Sequence, residues 1–202
     1  APASTSASRR RSLRGNRLSP RAWLWSLVGG ALGMISVLCG ALLTGLVASL
    51  PAAALEAPFD LSPYPWWTTL AFFLNIALVA GVVEEAAFRG YMLSMVERRH
   101  GWVVGIASVA LLFYVVHLSH AYATLAFIPF FMAYSLLHGM LVYLSGSILP
   151  SVILHFLGDF VILPLQYGIF ANPLGNSVAH HVSVIVGCGL ASGLILSRLA
   201  GM

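Results

Sequence analysis

The chain has 202 residues, of which 59% are hydrophobic and only 8% charged, against roughly a quarter charged in an ordinary soluble domain. Such a composition cannot cover a water-facing surface, and it excludes a soluble globular enzyme. All ten basic residues are arginines, and six of them (Arg9, Arg10, Arg11, Arg14, Arg17, Arg21) precede the first apolar stretch. Beside a hydrophobic segment that cluster reads as a topology signal rather than as a nucleic-acid footprint.

In chain order, residues 1–21 are rich in Ser, Ala and Arg and cannot bury a core, so a disordered basic tail is expected there. Ser8-Arg9-Arg10-Arg11 is faintly like a twin-arginine signal. The apolar stretch from Ala22 to Leu55 is, however, longer than the 7–15 residues of a cleaved h-region, so a retained signal anchor is expected as the first helix. Hydrophobic runs predict helices over 22–49, 66–97, 101–120, 123–144, 147–166 and 178–199, each near the length of about 20 residues that a bilayer requires. Pro51, Pro58, Pro63 and Pro65 break the chain after the first helix. Pro129 and Pro150 stand near helix starts, where a missing N–H costs least. The fold class is therefore all-α, a polytopic transmembrane bundle of about six spans, with a tail over 1–21 and a membrane domain over 22–202. Cys39 and Cys188 each sit mid-span and read as free thiols. Gly29 with Gly33, and Gly189 with Gly193, have the spacing of small-residue packing faces. Trp23, Trp25, Trp66, Trp67 and Trp102 lie near predicted span ends, as an aromatic belt requires.

The arginines set an orientation. With the N-terminus inside, the turn at Glu97, Arg98, Arg99 and His100 falls inside with Arg198, while Glu56 and Asp60 fall outside. Nine of the ten arginines then obey the positive-inside rule. Both termini are expected to be cytoplasmic, in what the Arg-, Ala- and Gly-rich, lysine-free usage suggests is the inner membrane of a high-GC bacterium.

Arg89 is the exception, and it stands in Glu84-Glu85-Ala86-Ala87-Phe88-Arg89-Gly90, at the end of an apolar run. A charge at bilayer depth costs about 2.5–3.5 kcal/mol on insertion scales. A helix ending at Val83 would avoid that cost, but Phe88, Tyr91, Met92, Leu93 and Met95 keep the segment apolar as far as Glu97. Glu85 and Arg89 are spaced to pair on one face, leaving Glu84 directed elsewhere. The third segment carries Phe113 and His117 one turn apart, and the fifth carries His155 and Asp159 at the same spacing. With a turn near residue 99 and 1.5 Å of rise per residue, Glu84 lies about 22 Å and His117 about 27 Å from that turn. The two are level in an antiparallel hairpin. His155 and Asp159 lie about 12–18 Å into their helix, so they reach that level if the hairpin projects beyond the bilayer. His138 reads as structural, with a place on the site wall as the other reading. His120, His180 and His181 read as interfacial.

Glu84-Glu85-x-x-x-Arg89, Phe113-x-x-x-His117 and His155-x-x-x-Asp159, in that order on successive apolar segments, resemble the three motifs of the CPBP family, the CAAX prenyl protease type II and bacteriocin-processing family also called Abi. Phe88-Arg89-Gly90 with Leu93, and Ser145-Gly146-Ser147-Ile148 before the third motif, extend the resemblance over about residues 66–165. It implies an intramembrane endopeptidase in which Glu84 is the general base on a water, His117 assists it, and His155 with Asp159 stabilises the oxyanion. Glu85, Arg89 and Phe113 would support them. Better-known members carry Asn where this chain has Asp159. An Asp donates only when protonated, so its role here shifts towards orienting His155.

Peptide hydrolysis needs an activated water and donors aimed at the developing oxyanion, so the residue types suit the chemistry. No metal or other cofactor is expected. The competing readings are a zinc-dependent intramembrane protease, with His117, His155 and Asp159 as ligands and Glu84 as base, and a non-catalytic membrane scaffold or immunity protein. The expected partners are a membrane-anchored protein or peptide substrate and the lipid bilayer, with no nucleic acid.

Overall fold

A computed structural model of the chain describes residues 13–57 and 60–201. Among these, every regular element is helical. α1 spans Pro20–Val47 and is followed by a single turn, α2, Ala52–Leu55. α3 spans Trp66–Glu84 and continues without interruption into a π-helical stretch, Glu85–Met92, and then α4, Leu93–His117. A 3₁₀ turn at Leu125–Phe127 leads into α5, Ile128–Ser145. α6, Leu149–Gln166, and α7, Val178–Leu196, complete the bundle. Five stretches are long and apolar enough to cross a membrane, one of them the 52-residue run Trp66–His117. The fold is a polytopic helix bundle.

Helix ends follow from local chemistry. Ser19 caps α1 by accepting from the Ala22 N–H at 3.2 Å, and Pro20 occupies the first turn, where its fixed φ is already helical. Ser177 caps α7 in the same way through the His180 N–H. Pro129 and Pro150 both fall in first turns, as expected. α5 stops at Gly146, whose φ of 69° is the left-handed conformation that commonly ends a helix.

The run Trp66–His117 is a hairpin of two legs. Its reversal is Gly101, with φ 81° and ψ 166°, in a region of backbone space open essentially to glycine alone. A β-carbon on Gly105 would lie 3.3 Å from Glu97 Cα, although eight helical residues would separate them by about 12 Å. With this hairpin counted as two, the long helical legs number six and match the expected segments. The nominal break at residues 97–101 narrows to a single residue. Gly101→Ala is expected to lower stability by about 1–3 kcal/mol, seen as an earlier thermal unfolding transition in detergent. Gly187→Ala is the control: it sits within α7 with open space around it and should not destabilise.

α1 packs most extensively on α7, α3 on α6, and α4 on α5. Gly29 and Gly33 meet Leu196 and Ser192 on α7, whereas Gly193 faces open space, so that half of the second small-residue pair takes no part in packing. The closest backbone-to-backbone approach near the motifs is at Gly81, which the spacing rules passed over. Its β-carbon would lie 3.0 Å from the Phe156 backbone nitrogen and 3.2 Å from the Val152 carbonyl oxygen. Glycine there lets α3 and α6 touch backbone to backbone, one turn before Glu84 and Glu85.

Most of the expected basic tail, residues 1–12, lies outside the described residues. The part from Leu13 to Ser19 is held against the bundle, a difference from the expected disorder. Arg14 pairs with Glu97, and its carbonyl accepts from the Ile148 N–H at 3.0 Å. Asn16 donates to the Gly146 carbonyl at 2.8 Å and accepts from the Ser147 hydroxyl at 2.8 Å. Leu13 lies over Gly90, where a β-carbon would meet its carbonyl oxygen at 3.1 Å. Composition alone does not reveal that these polar groups have partners waiting on the 97–100 and 145–148 turns.

Candidate active site

The hairpin brings Glu84 and His117 level, as the depth arithmetic expects, and α6 delivers His155 and Asp159 beside them. Glu84 Oε2 lies 4.0 Å from His117 Nε2 and 3.7 Å from His155 Nε2. Asp159 Oδ2 lies 3.4 Å from the same His155 nitrogen. The four groups surround one space, on a cavity of about 550 Å³ whose wall also includes Phe113, Phe131 and Tyr134. Glu84 Oε2 is buried and makes no hydrogen bond.

The tautomers follow from the remaining contacts. His117 Nδ1 is 2.7 Å from the Phe113 carbonyl, which only accepts, so the N–H is on Nδ1. In a neutral ring, Nε2 is then the lone pair facing Glu84. His155 Nδ1 is 2.9 Å from Glu85 Oε1 and donates to that carboxylate. The opposite edge of its ring faces the cavity.

Glu85 points away from the cavity into a buried network. It accepts from Arg89 Nη1 at 2.9 Å and from the Ser151 hydroxyl at 2.5 Å, in addition to His155. Arg89 donates its other nitrogen to Ser135 Oγ at 2.9 Å, and its guanidinium carbon lies 4.6 Å from the Phe113 ring centroid. Glu85 and Arg89 are both fully buried, so each charge depends on the other and on these hydrogen bonds. The expected pairing of Glu85 with Arg89 is present, with Glu84 left facing the cavity. π-type turns inside α-helices are frequent at functional sites, and the one here carries both members of the pair.

His138 donates from Nδ1 to Ser151 Oγ at 2.6 Å and is not part of the cavity wall. It sits behind the site, with Nε2 buried and unpartnered. Sequence reasoning missed Ser135, Ser151 and Tyr134. Ser151 falls on the same i, i+4, i+8 stripe as His155 and Asp159, a signal that was available. Tyr134 stacks on Phe113 at 5.9 Å and has a buried, unpartnered hydroxyl.

At the mouth of the cavity His120 stacks on Tyr122 at 5.2 Å. Burial pushes the Tyr122 phenol up to about 12, so it stays a neutral hydroxyl. His181, expected at an interface, is fully buried and clamps the loop before α7 through the Ser177 carbonyl and Asn172. Among the described residues no group of three or more His, Cys, Asp or Glu is arranged to hold a metal ion.

Residues 65–161 match a family model described as Type II CAAX prenyl endopeptidase Rce1-like, in agreement with the family that the three motifs resemble. The matched stretch runs from the start of α3 into α6 and contains all of the motif residues. The matched family is one of proteases, which are hydrolases. No curated protein and no solved structure matches the chain.

Proposed function

From a motif-bearing segment that matches an endopeptidase family, we propose that this protein hydrolyses a peptide bond of a membrane-anchored protein or peptide, without a metal, using Glu84 as the general base. The observation that carries the reading is the unpartnered Glu84 Oε2 on the cavity wall, set between two histidine nitrogens. Separations of 3.7 and 4.0 Å are too long for direct hydrogen bonds and suit one bridging water.

In this reading Glu84 takes a proton from that water as its oxygen attacks the scissile carbonyl carbon. His117 accepts a hydrogen bond from the water through Nε2 and fixes its lone pair. The carbonyl oxygen becomes an oxyanion and is met by His155 Nε2–H, since an imidazolium donates from both nitrogens. Asp159 orients that ring from the cavity side and Glu85 from behind. The Tyr134 hydroxyl is available as a second donor. On collapse the C–N bond breaks, and the proton held by Glu84 passes to the departing amine. The products are a carboxylate and a free amine.

The apolar cavity wall, rich in Phe and Tyr, favours a substrate segment drawn from the bilayer over a soluble chain. We place the enzyme in a bacterial inner membrane with both termini cytoplasmic, acting with the bilayer and its anchored substrate and without nucleic acid.

The test is a comparison of protein termini in cells carrying wild type or His155→Ala. Removing one oxyanion donor lowers rate by about 10²–10³, so new termini should fade to a trace. Cleavage by the purified protein should survive a chelator. Identical termini in the two strains count against hydrolysis at this site. Activity lost to chelator and restored by zinc counts against the metal-free route.

A further inference from the structure

Six of the seven arginines among the described residues gather at one end of the bundle. Arg14 pairs with Glu97 beside Arg98 and Arg99. The chain around Arg14 and Asn16 bonds to the turn between α5 and α6. Leu196, two residues before Arg198, packs on Gly29 near the start of α1. The exception is Arg89, which is spent on Glu85. Basic residues mark the cytoplasmic side of a membrane protein.

The cavity runs in the other direction. From Glu84 it extends past Leu50, Ala54, His120, Tyr122, Phe127 and Gln166, all in or next to the segments that join helices at the end opposite the arginines. Towards the arginines it meets a floor of side chains with no more than 1% exposure: Glu85, Arg89, Ser135 and His138. Below that floor, residues 13–19 are bonded across Gly146 and Ser147 and lie on Gly90. One end is closed twice, and the other is lined by loops.

We infer that the catalytic cavity opens to the extracytoplasmic face, and that its substrate is a chain whose scissile bond lies at the outer end of its membrane anchor. This rests on the protease reading for the word substrate, but the access route stands on the packing and the arginines alone. A C-terminus processed in the cytoplasm would meet the sealed end. Water for hydrolysis enters by the same outer mouth, and the released extracytoplasmic fragment leaves by it.

The experiment uses the full chain in intact bacterial cells, with Cys39→Ala and Cys188→Ala as background and a charged, membrane-impermeant thiol reagent as probe. Ala80 lines the cavity one turn from Glu84, far from either surface along α3. Ala80→Cys should react in intact cells, as should Leu125→Cys, which is 79% exposed at the proposed outer face. Arg99→Cys should lose all labelling until the cells are permeabilised. If Ala80→Cys reacts only after permeabilisation, or with neither treatment, the inference is overturned. It is also overturned if Ala80→Cys and Arg99→Cys react from the same side. Labelling does not depend on turnover, so an inactive protein with this pattern would fail as a protease and still keep its outward-facing cavity.

Discussion

Glu84→Gln is expected to remove turnover and to leave thermal unfolding in detergent where it was. The side chain lies on the cavity wall, and its Oε2 makes no hydrogen bond, so the neutral amide breaks no contact on which the fold depends. It cannot take a proton from water, and positioned general bases contribute about 10²–10⁴ in rate. The same substitution leaves Glu85 and Arg89 untouched, because they bond to one another and to Ser151, Ser135 and His155. The measurement is cleavage of a fixed membrane substrate by purified variants, with unfolding recorded on the same samples. Normal cleavage by Glu84→Gln would remove it as the base. If Glu85→Gln were then inactive but stably folded, the two glutamates would exchange roles.

Glu85→Gln is expected to act first on stability. It leaves the Arg89 guanidinium fully buried without a counter-charge, a situation that costs about 3–5 kcal/mol in measured cases. For a chain of this length that corresponds to an unfolding midpoint lower by on the order of 10 °C. Activity falls as well, because Glu85 is the acceptor that fixes the His155 ring from behind at 2.9 Å. Adding Arg89→Met should recover part of the stability, since the orphaned charge goes with it, but none of the activity. A double variant as unstable as the sum of its parts would mean that the pair is not coupled.

How much of this was legible beforehand depends on the kind of signal. Charge inside an apolar run is rare enough to point directly at Glu84, Glu85, Arg89 and Asp159, because the bilayer penalises it. The spacing of four residues placed Phe113 with His117 and His155 with Asp159, and counting rise per residue set Glu84 level with His117. Serines give no such contrast. Ser135 and Ser151 are as ordinary in a membrane helix as the serines that only pack it, and their roles exist only once α5 and α6 close on the π-helical stretch. That stretch was itself invisible, since no pattern of residues announces a widened turn. Gly81 was passed over for the same reason as Ser135: its partner is a backbone on another helix, not a residue four positions away. The held segment at 13–19 was hidden because its composition resembles that of the tail before it.

The self-contained Glu85–Arg89 pair also bears on how such a chain enters the membrane during synthesis. Three separate charges on one segment would cost about 8–10 kcal/mol on insertion scales. The pair, however, lies on a single helix and closes within one turn, before any later segment exists. The part of the hairpin that enters lipid is therefore nearly neutral, with Glu84 as its one uncompensated group, while Glu97, Arg98 and Arg99 stay at the turn. Ser151 and His155 reach Glu85 only after about sixty more residues have been made, followed by the one remaining intramembrane charge, Asp159. A nascent chain stopped before α6 would thus lie in the membrane and still lack His155 and Asp159, so the proposed site is complete only once α6 is in place.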